Sequence, residues 1–570
     1  MSEPISVVDI DLSPIAGKTY FSIDREWREE FIYFLMVDRF QDDAVRPLVA
    51  GSDRSPGIAT PNTFYGGNIK GITKNLDYIA GLGCTAIWLS PVFENNADAY
   101  HGYDISNYLR IDPHFGTKQD LVELVEAAHG FMKNGRPFPI RIILDVVINH
   151  SGDNWSYPGG FRFFYSNDTR FDFGGFRRGD RPVPIELRNA DWYHRRGEMG
   201  NYDSYPENQH GDMFGLKDYA NDDDAIGSDV INTLIKAHCY WIREADIDGF
   251  RVDAVKHMGE LACSRFCSNI REYAYALGKR SFFLFGEVAS PSDDIYNRYI
   301  GQNTSRQDGD DTVFFGLDSV LDFRLAEGVF ADPNNAPLRD VLMGRAGPQT
   351  LFNRLEAQRQ RALNRGEIGR YLVTFVDNHD GFWQPNGRFA NGATDDQVIG
   401  AIGYLMCALG TPCLYYGTEQ GFSGNGGDNQ MREAMFDKAP GGKSLLNRGC
   451  RLYSEIARIA GIVRQREPLR FGRMYYRQIA DASLSFGLPF GSTYTLAFSR
   501  LLYGQEVLVA YNISAAARSD RIIVDATLHP DLSQMTFLYG KPGQVQVQTS
   551  PSGARFVQVD LAPHQFAILA

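Results

Sequence analysis

Short apolar runs alternate with stretches in which apolar residues recur every third or fourth position over most of this 570-residue chain. A run of about four to eight residues rich in Val, Ile, Leu and Phe reads as a buried strand, and the helical period between runs reads as a helix packed on it. Strands are predicted at residues 31–37, 85–90, 141–148, 249–255, 282–287, 320–323, 371–376 and 413–416. Repeated strand–helix units imply a parallel sheet, and eight of them match a closed (β/α)8 barrel. The sixth unit is the least regular, since 317–330 also reads as the start of a helix.

Two segments depart from this rhythm. Between His150 and about Ser228 the periodicity fails and Gly, Asp, Tyr and Phe accumulate, as in Phe171-Asp172-Phe173-Gly174-Gly175. A stretch that long inside a compact domain is functional or a small domain of its own. From about Phe471 the pattern becomes alternating strands, such as Glu506-Val507-Leu508-Val509-Ala510-Tyr511, without a long helix. The expected fold is therefore α/β: a (β/α)8 TIM barrel from 1–150 and 220–470, an inserted loop-rich domain at 151–219 after strand 3, and a C-terminal antiparallel β-sandwich at 471–570. The uncharged run 398–417 is long enough to cross a bilayer, but Gly410-Thr411-Pro412 interrupts it, so it is read as a buried helix followed by a buried strand.

Composition narrows the function. Hydrophobic residues make up 43% and charged residues 22%, which excludes a disordered or fibrous chain. A net charge of −13 argues against nucleic acid or an anionic membrane as partner and leaves a neutral substrate such as a sugar open. The first residues, with Glu3, Asp9 and Asp11 and no apolar core, do not read as a secretion signal, so a cytoplasmic protein is expected. The seven cysteines sit in apolar surroundings and are expected as reduced core thiols. Cys263 and Cys267 lack a second ligand pair for zinc. Nothing in the pattern fixes an oligomeric state.

In a parallel barrel all strand C-termini open on one face, so residues far apart in sequence converge there. Four predicted strands end in carboxylates: Asp145-Val146-Val147-Ile148-Asn149-His150, Arg251-Val252-Asp253, Phe285-Gly286-Glu287 and Val376-Asp377-Asn378-His379-Asp380. One such residue reads as a cap or ion-pair partner, but four gathered together cost repulsion that a purely structural role does not repay. The two-residue alternation of a strand puts Arg251 and Asp253 on one face, where the guanidinium is expected to keep Asp253 ionised, as a nucleophile requires. Glu287 ends an apolar strand, where burial is expected to raise its pKa, as a proton donor requires. A carboxylate pair of this kind is what glycoside cleavage uses, with Asp380 stabilising positive charge on the ring and His150 and His379 donating to sugar hydroxyls. Either histidine taken alone reads equally well as a loop residue satisfied by backbone.

These four segments, in this order, resemble the conserved regions of the α-amylase family, glycoside hydrolase family 13. Gly249-Phe250-Arg251-Val252-Asp253-Ala254-Val255-Lys256-His257 and Phe375-Val376-Asp377-Asn378-His379-Asp380 carry the likeness most specifically, and it extends over nearly the whole chain. The resemblance implies that Asp253 is the nucleophile, Glu287 the general acid/base and Asp380 the transition-state stabiliser, with Asp377 non-catalytic. It further implies that His101 and Tyr103, in Ala99-Tyr100-His101-Gly102-Tyr103-Asp104, bind and stack on the sugar at the cleavage point, that Arg251 attends the nucleophile, and that Lys256 and His257 face the leaving-group sugar. The family also binds a structural Ca²⁺, whose ligand positions fall on Asn149, Asp218 and the backbone carbonyl of His257. A second Ca²⁺ site of some relatives matches at Asp38, while Gly66-Gly67-Asn68 lacks the usual acid.

The implied function is retaining cleavage of α-1,4-glucosidic bonds in maltooligosaccharides or starch-like glucans, through a covalent glycosyl-enzyme. An α-glucanotransferase, in which a sugar acceptor replaces water, shares the same first step and stays open. Acceptor choice rests on loops such as the insertion and Gly381-Phe382-Trp383. A non-catalytic carbohydrate-binding scaffold is the reading of a different class, and it leaves the three carboxylates, Arg251, His150 and His379 without a reason to gather. A metal-dependent barrel hydrolase lacks ligands at metal spacing on these strand ends.

Overall fold

The computed structural model describes residues 3–222, 224–290, 292–300, 316–328, 335–359, 362–363, 366–380 and 387–570. Eight parallel strands form its centre: β1 (Ile32–Leu35), β2 (Ala86–Leu89), β3 (Arg141–Val146), β4 (Gly249–Val252), β5 (Phe283–Gly286), β6 (Ser319–Val320), β7 (Val373–Thr374) and β8 (Thr411–Tyr415). Each pairs with its neighbour in sequence, β8 returns to β1, and a bridge from Leu321 to Val373 joins β6 to β7, which completes the (β/α)8 barrel. The strands of the first five units are buried on both faces, as expected when side chains fill the inside and helices cover the outside.

Strands β6 and β7 are shorter than predicted. After β6, Asp322 accepts the Leu325 amide and caps a helix at Phe323–Glu327, so the segment that reads as both strand and helix is one followed at once by the other. The uncharged run resolves into the helix Asp395–Cys407 and strand β8. No described helix is long and apolar enough to cross a membrane. All seven cysteines are buried and unpaired.

The chain between β3 and the long helix Ala225–Ala245 forms short ladders, Trp155–Ser156 with Gly175–Phe176 and His150–Ser151 with Lys217–Asp218. Its centre is aromatic, with Phe163 stacked on Phe171 at 4.3 Å and Trp155 edge-on to Tyr157 and Tyr193. This explains the loss of periodicity: aromatic contacts and turns, rather than long elements, hold the segment.

From Arg473 to Leu569 nine antiparallel strands fold over their own apolar core, which includes Leu508, Ile522, Met535, Val547 and Val557. This unit is fastened to the barrel by Arg500, whose guanidinium donates to the carbonyls of Cys407 and Ala408 at 2.7 and 2.6 Å. The backbone of the helix Asp395–Cys407 approaches it closely, since a Cβ on Gly403 would lie 2.7 Å from the Phe566 ring. Gly403→Leu is therefore expected to destabilise the protein by about 1–3 kcal/mol through overpacking. Gly461→Ala, where a Cβ meets open space within the helix Arg451–Gln465, is expected to stabilise it by about 0.5–1 kcal/mol. Denaturant unfolding of the two variants checks the contrast.

Candidate active site

The floor of the site is built by register. Strand pairing places Arg251 beside Asp145 of β3 on one side and Phe285 of β5 on the other. The guanidinium, 1% exposed, then gathers three carboxylates: Nη1 lies 2.9 Å from Asp145 Oδ1 and 2.5 Å from Asp253 Oδ1, and Nη2 lies 2.8 Å from Glu287 Oε2. Beyond β4 the chain turns at Ala254, which adopts φ 51°, a left-handed conformation costly for a residue with a side chain. That turn aims the Ala254 amide at Glu287 Oε2, 3.1 Å away.

Above this floor opens a cleft of about 910 Å³ lined by Asp253, Glu287 and Asp380 together with His101, Tyr103, His150, Lys256, His257 and His379. Tyr103 is anchored, with its hydroxyl 2.9 Å from Asp145 Oδ2 and 2.7 Å from His379 Nε2. His101 Nδ1 accepts the Tyr103 amide at 3.1 Å. His150 Nε2 and His379 Nδ1 are buried without a hydrogen-bond partner among the described residues. Lys256 Nζ donates to the Ala289 carbonyl at 2.8 Å and to Asp203 at 2.9 Å, and His257 Nδ1 meets the Asn208 carbonyl at 2.7 Å. Asp377 turns away from the cleft and accepts from the Phe389 amide and the Thr418 hydroxyl. Gly381, Phe382 and Trp383 lie outside the described residues.

The alpha-amylase catalytic-domain model matches residues 34–443. The chain belongs to the alpha-amylase family. It is 27% identical to an alpha-amylase of Streptomyces lividans over 88% of this chain and 58% of that protein. It is also 27% identical to a cyclomaltodextrin glucanotransferase of Klebsiella oxytoca over 72% of this chain and 62% of that one, so it spans less than two thirds of either. Among solved structures, a cyclomaltodextrin glucanotransferase with a three-domain ABC distribution superposes with a TM-score of 0.67 at 26% identity, over 95% of this chain and 98% of its own.

Arg432, which lines this alpha-amylase-family cleft, and Glu327, which feels the charges of Asp380 and Glu287, stand at no strand end. Arg432, in the loop after the short helix Asp428–Met431, donates to the His379 carbonyl at 2.9 Å and to Asp380 Oδ1 at 3.3 Å. Glu327, at the end of the helix after β6, has a buried, unpartnered Oε1, and burial together with Asp380 and Glu287 pushes its carboxyl up to about 9.

Calcium is common in alpha-amylases. Of the positions the resemblance implied, Asn149 and Asp218 meet in a buried contact, Asn149 Nδ2 donating to Asp218 Oδ1 at 3.3 Å. His257 belongs to the helical turn Val255–His257 that packs against Glu207–His210. An amide oxygen and a carboxylate in a dry setting are donors that suit a hard, oxygen-seeking cation. Asp38, by contrast, is consumed by the Tyr65 and Gly66 amides and by Arg39.

Burial and charge shift the two carboxyls of the pair in opposite directions. Burial, with the Glu287 and Asp145 charges, pushes Asp253 well above the usual carboxylate range despite Arg251. Burial acts on Glu287 as well, but Arg251, the Ala254 amide and a hydrogen bond from Asp253 hold it below its ordinary value. The two carboxyls titrate as a coupled pair on the Arg251 guanidinium. Burial also keeps the cleft histidines neutral, with His101 and His150 near 3 and His257 near 4.

Burial and the Glu287 charge raise Asp380 to about 7 from an ordinary 3.8, against the pull of Arg432. Between these two values the folded protein holds a proton that the unfolded chain has lost, so this residue's contribution to stability is complete below about pH 4 and falls as pH rises through 7. Asp380→Asn is accordingly expected to be more stable than the parent at pH 8, by about 1 kcal/mol or more, with the difference vanishing near pH 4. Unfolding free energies at the two pH values check the sign.

Proposed function

We propose that this chain is a retaining α-glucan-active glycosidase that cleaves α-1,4-glucosidic bonds in maltooligosaccharides or starch-like glucans. The observation that carries the reading is that Asp253 and Glu287 are both held on the single Arg251 guanidinium at the foot of an open cleft. An inverting enzyme needs room for a water between its two carboxyl groups, whereas two carboxylates drawn onto one guanidinium stand close together, which supports double displacement.

Before cleavage the proton must stand on Glu287. Arg251, bonded to both carboxyls, compensates the charge whichever of the two is ionised. With the sugar in place, Asp253 Oδ attacks the anomeric carbon as the bond to the glycosidic oxygen breaks, and Glu287 gives that oxygen its proton. Glu287, now anionic, takes a proton from the incoming water while the oxygen attacks the same carbon, and the Asp253 ester bond breaks. Asp380, ionised and braced by Arg432, faces the positive charge that develops on the ring. Neutral His101, His150 and His379 offer ring nitrogens to sugar hydroxyls without competing for the positive charge. Tyr103 gives its face to the sugar, and Lys256 and His257 bound the side on which the leaving sugar departs.

A glucanotransferase is the second reading, and the likeness to cyclomaltodextrin glucanotransferases in both sequence and structure favours keeping it. The chemistry up to the ester is common to both, and the acceptor alone differs. A Ca²⁺ held by Asn149, Asp218 and the His257 carbonyl would tie the inserted segment to the loop beyond the nucleophile.

Asp253→Asn and Glu287→Gln are each expected to lower turnover of a defined maltooligosaccharide by about a thousand-fold or more while the thermal midpoint is kept. Resolving the parent's products by length separates the readings, since only shorter chains mean hydrolysis whereas longer or cyclic ones mean transfer. Undiminished turnover in either variant would refute the assignment. Chelation of Ca²⁺ is expected to lower the thermal midpoint of the parent and to have no effect on Asp218→Ala, as read by scanning calorimetry.

A further inference from the structure

We propose that His194, His210 and Asp222 form a binding site for a transition-metal dication of the zinc class, which clamps the inserted segment to the barrel. The donor atoms of the three side chains lie within 4.8 Å of one another. His194 Nε2 is 3.0 Å from Asp222 Oδ2, and His210 Nε2 is 3.2 Å from Asp222 Oδ1. Zinc bonds of about 2.0–2.1 Å in a tetrahedron put neighbouring ligand atoms roughly 3.3 Å apart, so each imidazole stands at ligand spacing from one oxygen of the shared Asp222 carboxylate.

The surroundings are those of a metal-bound imidazole. His194 Nδ1 lies 2.5 Å from Asp218 Oδ2, which orients the ring and aims Nε2 at the cluster. A carboxylate behind a histidine in this way sets the tautomer and raises the basicity of the ligating nitrogen. The two imidazoles are 4.3 Å apart between ring centres and converge on a single carboxylate. Their side chains are 8% and 17% exposed, whereas that of Asp222 is 44% exposed, so the cluster opens to solvent on one side, which supplies an entry path and room for water as a fourth ligand. Two nitrogens and one oxygen favour zinc, nickel or copper over calcium, which the neighbouring oxygen donors Asn149 and Asp218 suit better.

The location gives the metal a purpose. His194 follows the turn Ala190–Trp192, His210 ends the helix Glu207–His210, and Asp222 stands just ahead of the barrel helix Ala225–Ala245. One ion would join three segments that share only short elements, and close the loops between them. Because Glu207–His210 packs on the turn that follows Asp253, the clamp would also steady one wall of the cleft.

Co²⁺ is the probe, added to the full chain after chelation of resident metal and resupply of saturating Ca²⁺, so that the oxygen-donor site is filled and catalysis is not the readout. The expected result is one Co²⁺ per chain with the visible absorption of a four-coordinate ion, displaced by Zn²⁺, and a higher thermal midpoint with Zn²⁺ present. His210→Gln and Asp222→Asn are each expected to weaken Co²⁺ binding about ten-fold or more. Circular dichroism verifies their folds, and Asp222→Asn, at the most exposed ligand, serves if His210→Gln does not fold. Absence of the Co²⁺ band in the Ca²⁺-loaded parent, or equal affinity in a folded variant, would overturn the proposal while leaving the glycosidase reading untouched.

Discussion

A buried guanidinium that must satisfy three carboxylates is the constraint around which the catalytic face is organised. Arg251 is taken from water at a cost that only close, multiple pairing offsets, and Asp145, Asp253 and Glu287 supply it. Asp145 is in turn held by Trp88 Nε1 at 3.1 Å and Tyr103 OH at 2.9 Å, so the same node fixes an aromatic wall of the cleft. Because the partners sit on β3 and just beyond β4 and β5, the node has this geometry only when those strands pair in the observed register. Barrel closure and site chemistry are thus one structural fact.

The outer layers serve that register. The inserted segment reaches the strand face through His150–Ser151 and Lys217–Asp218, where Asp218 meets both Asn149 and His194. Arg432 reaches across from the loop that precedes the helix Arg451–Gln465 and supports Asp380 and His379 from below. The C-terminal sheet touches none of these residues and grips the helix Asp395–Cys407 through Arg500, Tyr511 and Phe566.

What the sequence made legible follows from what strands and helices write locally. Continuous apolar runs marked all eight barrel strands, and carboxylates at their ends marked Asp253, Glu287 and Asp380, because strand ends converge by topology alone. Strands β6 and β7 were overestimated, since apolar residues around them pack in the core from turns and a capped helix. Arg432 and Glu327 were invisible because neither stands at a strand end, and their relevance exists only once the loops have folded. His194, His210 and Asp222 have no regular spacing and come together through a segment without periodicity. The strand pattern places Arg251 beside Asp253 but does not reveal that its other nitrogen binds Glu287. Of the loop residues considered for acceptor choice, Trp383 lies outside the described residues.

The proposed mechanism takes Asp253 as nucleophile and Glu287 as proton donor, both held on Arg251, and so requires two inversions at the anomeric carbon. The most direct test is proton NMR of the first products released from a maltooligosaccharide, recorded before the new reducing ends equilibrate. Products that appear in the α configuration and only later drift towards the β anomer are the predicted result. Products that appear first as the β anomer would mean a single displacement by water, and would contradict the role of Asp253 as nucleophile.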